Sequence, residues 1–220
     1  MNHYYKGMKQ TMDDDRKEKI IEAAIEVFAR QGYTNGSMHD IAKMAGVASG
    51  LIYSPKFFKN KQDLLLSIVL SFWELLNTRI KNELKRHENP IEKLRYLIVI
   101  LNEELMKDKK AIYLTKVVHE ALPSIYYVSD KELVPKRNEI TKKNRELLDS
   151  IDSIMEEGQD KGIFDKTMPP SVMRQVLYGS FQFLIYGLFL KISKKEKEIG
   201  YEKEDIQNGM EKLIGSFLLK

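Results

Sequence analysis

The chain has 220 residues, 43% of them apolar and 31% charged, which excludes a disordered or fibrous protein and leaves room for a small domain plus a larger one. It has no cysteine, so disulfides, thiolate metal sites and cysteine nucleophiles are all excluded, and a reducing cytoplasmic setting fits. The net charge of +4 says little by itself about nucleic acid, but between Met38 and Lys61 four lysines (Lys43, Lys56, Lys59 and Lys61) stand against the single Asp40.

Apolar residues recur three and four apart in nearly every segment, and only 12 glycines and 6 prolines interrupt them, so an all-α fold of about nine helices is expected. Residues 1–14 are polar, lack the apolar run of a leader peptide, and read as a flexible tail. A first helix from about Asp15 to Gln31 carries Ile20, Ile21, Ala24, Ile25 and Phe28 on one face and stops at Gly32. Ser37, three residues before Asp40, is the expected N-cap of a short second helix that Gly46 closes. A third short helix is expected from about Ala48 to Tyr53, ended by Pro55, which disfavours a helical Ser54.

Asn60 caps a long fourth helix, about Lys61 to Arg86. Further helices are expected over about Ile91–Met106, Lys110–Leu122 and Pro135–Lys161, then one that follows Pro169-Pro170 and reaches about Ile192, and a last over Lys203–Leu219, with Pro123 interrupting the pattern between two of them. Val176 to Leu190 is nearly all apolar, yet at fifteen residues it is short for a membrane span of about twenty. Burial between its own domain and a second subunit fits it better, and no membrane partner is expected. The resulting division is a tail (1–14), a small helical domain (15–62) and a large one (63–220).

Three small helices in about forty residues, the last two joined by a tight glycine turn, have the layout of a helix-turn-helix. Ile41, Ala42, Ala45, Val47 and Ile52 make its small core, leaving Ala48, Ser49, Leu51 and Tyr53 to face outward toward a major groove. Such side chains read thymine methyls and shape more than hydrogen-bonding edges.

The stretches Ile20–Phe28, Gly32-Tyr33, Ser37–Ala42, Ala45–Tyr53 and Phe58–Leu64, in that order and spacing, resemble the DNA-binding domain of the TetR (tetracycline-repressor) family. The resemblance implies phosphate contacts from Ser37, Tyr53 and Lys61, with Met38, His39, Ala48, Ser49 and Leu51 near the DNA. Ser54-Pro55-Lys56-Phe57 makes the segment before Phe58 about two residues longer than the family pattern, and Lys56 becomes a candidate new contact. The resemblance also implies a repressor binding a palindromic operator as a homodimer, and an effector pocket in the larger domain.

That larger domain carries no catalytic constellation, glycine-rich phosphate loop or histidine pair at metal-ligand spacing, so no enzyme activity, cofactor or metal is expected. It is rich in aromatic and sulfur-containing side chains. Phe72, Trp73, Met106, Tyr113, His119, Tyr178 and Phe181 are the candidates to line a site for an apolar or amphipathic small molecule. The last two helices, apolar over more than one face, are expected to pair with their copies across a two-fold axis. A helical adaptor that keeps the fold but has lost DNA binding is the competing reading.

Overall fold

A computed structural model describes residues 12–54, 57–105, 107–192 and 200–217. Its elements are α1 (Met12–Gln31), α2 (Met38–Ala45), α3 (Lys61–Leu84), α4 (Pro90–Leu105), α5 (Lys109–Tyr126), α6 (Val134–Asp160), α7 (Pro170–Ile192) and α8 (Lys203–Ser216). The protein is all-α, with a helix-turn-helix at its N-terminal end and a larger helical domain after it.

Three elements differ locally from the expected ones. α1 is already helical at Met12, three residues before the expected Asp15. Pro123 lies inside α5 instead of ending it. Residues 48–54 form a run of single turns, held by Leu51 N donating to Ala48 O (2.8 Å) and Ser54 N to Leu51 O (2.9 Å). Gly50 and the following Pro55 both weaken continuous helix there.

The backbone separates into two compact units. The first comprises the chain up to Leu75 together with Tyr113–Thr141; the second comprises Leu76–Ile112 and Lys142–Lys220. The first unit thus holds the helix-turn-helix segment together with the first part of α3, most of α5 and the start of α6.

In the first unit α1 packs on α2, with Ile20, Ala24, Phe28, Ile41, Ala42, Ile52 and Phe58 buried. Ser37 caps α2 as its spacing requires, accepting from Asp40 N at 3.0 Å. Gly46 ends α2 at φ 68°, a left-handed conformation that other residues adopt at a cost. Asn60 Oδ1 accepts from Asp63 N (2.8 Å) while Asp63 reaches back to Lys59 N (2.9 Å), a reciprocal cap that fixes the start of α3.

In the second unit α8 packs on α4 and α7. Its stripe of Ile206, Met210 and Ile214, continued by Phe217, is buried in that packing. Among the described residues, no helix is long and apolar enough to cross a membrane.

Candidate nucleic-acid interface and helical ligand domain

Burial divides the helix-turn-helix into a frame and a face. Ile41, Ala42 and Ile52 form the frame at 0% exposure, with Ala45 and Val47 half-buried around them. His39, Ala48, Ser49 and Tyr53 are exposed, and Leu51 is half-buried. Tyr53, at 54% exposure, is a surface residue with a free apolar ring, not a packing residue. Met38, expected near the DNA, is the first residue of α2; it turns inward and is buried with the frame. Lys56 and Met106 lie outside the described residues.

The polar groups of this face are already oriented. The Ser49 hydroxyl lies 3.3 Å from His39 Nδ1, which links the turn segment to α2. Ser37 uses its oxygen as acceptor for the cap and donates to Asp40 at 2.6 Å. Lys61 Nζ donates to Thr34 O at 3.0 Å and sits 4.7 Å from the centre of the Tyr33 ring. Partial desolvation in that position pushes the Lys61 pKa below its ordinary value.

Lys59 turns elsewhere. Its ammonium is held by Glu132 (2.6 Å) and Asp130 (3.1 Å) in the α5–α6 connection, which raise its pKa, and it in turn lowers that of Asp130. Lys136, in the first turn of α6, pairs with Asp63 and also donates to Ser67 Oγ at 2.9 Å. On α5 the buried Lys116 donates to Ala29 O at 2.6 Å. These contacts join residues about seventy or more positions apart, and no local spacing announces them.

Of the candidate ligand residues, Phe72 and Trp73 are buried and meet edge to face at 5.1 Å. The Trp73 indole N–H is buried without a partner. Tyr113 is buried too, but His119 is exposed: the helical period turns Lys116, Val117 and Ala121 inward and His119 out, which removes it from a buried lining. Glu120, beside it, pairs with Lys116 at 3.3 Å. In the second unit Phe181 is buried, and desolvation pushes the Tyr178 hydroxyl far above its usual range against the opposing bond to Gln182. Among the described residues no group of three or more His, Asp or Glu side chains is placed to hold a metal.

A buried two-helix frame presenting an exposed turn segment, followed by a larger helical domain, defines a helix-turn-helix DNA-binding transcription regulator. Residues 20–68 match the family described as bacterial regulatory proteins, tetR family, and residues 73–213 match the C-terminal region of YsiA-like proteins. The fatty acid metabolism regulator protein of Bacillus subtilis is 32% identical over 162 residues, 74% of this chain and 77% of that one. The chain belongs to the TetR family of transcriptional regulators. The solved fatty acid degradation regulator FadR of Bacillus halodurans superposes with a TM-score of 0.67 at 27% identity, covering 94% of this chain and 96% of that one. FadR of Bacillus subtilis, solved in complex with stearoyl-CoA, superposes with a TM-score of 0.65 at 28% identity, covering 90% and 96%.

Proposed function

We propose that this regulator is a cytoplasmic, non-enzymatic repressor that binds a palindromic operator as a homodimer and is released by a long-chain acyl-CoA. The observation that carries the DNA role is the division at the helix-turn-helix, where His39, Ala48, Ser49 and Tyr53 are exposed above the buried Met38, Ile41, Ala42 and Ile52. Tyr53 and Lys61 are assigned to phosphates, and the turn segment to thymine methyls and groove shape. The ligand class rests on the likeness to FadR of Bacillus subtilis, whose structure holds stearoyl-CoA. An acyl-CoA also meets the earlier expectation of an amphipathic effector. A two-fold dimer places the two turn segments in successive major grooves. Its interface is assigned to α7, where Val172, Val176 and Phe183 follow one another along a single face and are all exposed.

The test is a fluorescence-anisotropy titration with DNA from upstream of the protein's own gene, at two salt concentrations, with and without stearoyl-CoA. Binding that falls steeply with salt, weakens in Tyr53→Phe/Lys61→Ala and is reversed by stearoyl-CoA establishes all parts of the proposal. Salt-sensitive binding untouched by the double substitution retains the repressor and removes those two phosphate contacts. Absence of binding here and in a random-sequence operator selection leaves the adaptor reading.

A further inference from the structure

Four polar or charged side chains are buried among the described residues: Asp63, Asn77, Asn102 and Lys116. Three of them have clear partners. Asp63 accepts from Lys59 N and pairs with Lys136, Asn77 donates to Lys143 O at 2.7 Å, and Lys116 donates to Ala29 O at 2.6 Å. Asn102, on α4 and only 3% exposed, has neither its Nδ2 nor its Oδ1 hydrogen-bonded. A buried carboxamide presents two donors and an acceptor, and leaving all of them unmade is unfavourable enough that native proteins almost always supply a partner. The nearby inward residues on the same helix, Ile98 and Leu101, are apolar and offer none.

We propose that Asn102 is the polar anchor of the effector site and that the group it takes is the uncharged carbonyl of an acyl thioester. This rests on the ligand-responsive reading above. Nδ2 donates to the carbonyl oxygen, and Oδ1 is left to accept an N–H or O–H of the same molecule. The charges around α4 argue for a neutral group. Its two cations, Lys93 and Arg95, are paired with Glu157 and Glu211, while Arg79 of α3 is engaged by Glu103 and Glu104, the two residues that follow Asn102. A free carboxylate brought to Asn102 would find both cations of α4 already neutralised. A thioester carbonyl carries no charge to compensate.

The test uses the full-length protein with stearoyl-CoA and stearate as probes, read by calorimetric titration and thermal melting. Wild type is expected to bind stearoyl-CoA in preference to stearate. Asn102→Leu, of nearly the same volume, is expected to melt no lower than wild type without ligand and to bind stearoyl-CoA about tenfold more weakly, the loss typical of one buried hydrogen bond. A leucine variant that melts lower would overturn the proposal, because the carboxamide would then be paired inside the protein. Unaltered stearoyl-CoA affinity would also overturn it, leaving only a bound water at that place. Should the variant not fold, the Nδ2 resonance of Asn102 in wild type, assigned through Asn102→Ser, must shift on adding stearoyl-CoA; a resonance that does not move ends the proposal. Wild type that binds neither probe removes the ligand reading and the anchor together. Wild type that binds while Asn102 is indifferent removes the anchor alone.

Discussion

Lys116 and Ala29 are 87 positions apart in sequence, yet the ammonium of one donates to the carbonyl of the other at 2.6 Å. Ala29 lies in the last turn of α1, where carbonyls have no intrahelical partner and the helix dipole favours a cation. The neighbouring carbonyl of Phe28 is taken by Gly32 N at 2.9 Å. Lys116 therefore closes the end of α1 from α5 and binds the helix-turn-helix into the first compact unit. Replacing it by methionine keeps most of the stem's packing and removes the bond. Lys116→Met is expected to cost about 1–3 kcal/mol, the usual penalty for orphaning a buried acceptor. Urea denaturation followed by circular dichroism measures it, and a midpoint equal to that of wild type would show that the bond contributes nothing net.

A second prediction concerns Gly158, inside α6. Alanine at an ordinary helix position is better than glycine by about 1 kcal/mol. Here a Cβ at 158 would stand 2.0 Å from the Phe164 ring, which is itself fully buried. The carbonyl of Gly158 also accepts from both Ile163 N and Phe164 N, which leaves the loop little freedom to withdraw. The steric effect should outweigh propensity, and Gly158→Ala is expected to destabilise by about 1–3 kcal/mol net. Because the clash is with one ring, Phe164→Leu should recover part of the loss in a double-mutant cycle. Independent effects of the two substitutions would place the damage elsewhere.

The same pair shows what a linear reading can and cannot find. Ser37 and Asp40, or Asn60 and Asp63, are three residues apart, and helix capping acts over that distance, so both helix starts were legible. Gly46 was legible because a left-handed residue has few candidates. Gly158 carries no such mark, since its reason is a ring folded back from the α6–α7 connection. Lys59 belongs to the same difficulty. Its position beside Asn60-Lys61 groups it with the phosphate-binding lysines, but its partners Asp130 and Glu132 come from a loop more than seventy residues away. The burial of Met38 is hidden for a subtler reason. The first residue after an N-cap can face either way, and the period that turns Ile41 and Ala42 inward carries Met38 with them.

On α7, Phe183 is 77% exposed, with Val176 and Val172 along the same face. An aspartate at 183 has nothing within the protomer to displace, so the monomer's stability should hold. Across a two-fold axis the same change sets a charge against its own copy in an apolar contact. Phe183→Asp is expected to run as a monomer in light scattering after size exclusion, with unaltered helicity and much weaker operator binding. A variant that remains dimeric would move the interface off this face.

Lys61 provides a test that depends on pH. Partial desolvation beside Tyr33 lowers its pKa from the ordinary 10.5, so in the free protein it loses its proton earlier than an exposed lysine. A DNA phosphate at the ammonium favours the protonated form and raises the pKa again. Binding then takes up a proton wherever the free protein has released one, and operator affinity must fall as pH rises through the free Lys61 pKa. Arginine at 61 stays charged across this range and should remove that part of the fall. Every other residue is common to both proteins, so the difference between wild type and Lys61→Arg isolates residue 61. Anisotropy titrations at constant ionic strength, stepped upward toward pH 10.5, are expected to show the wild type weakening first. Parallel curves for the two proteins would mean that the Lys61 ammonium stays with Thr34 and Tyr33 in the complex and does not neutralise a phosphate.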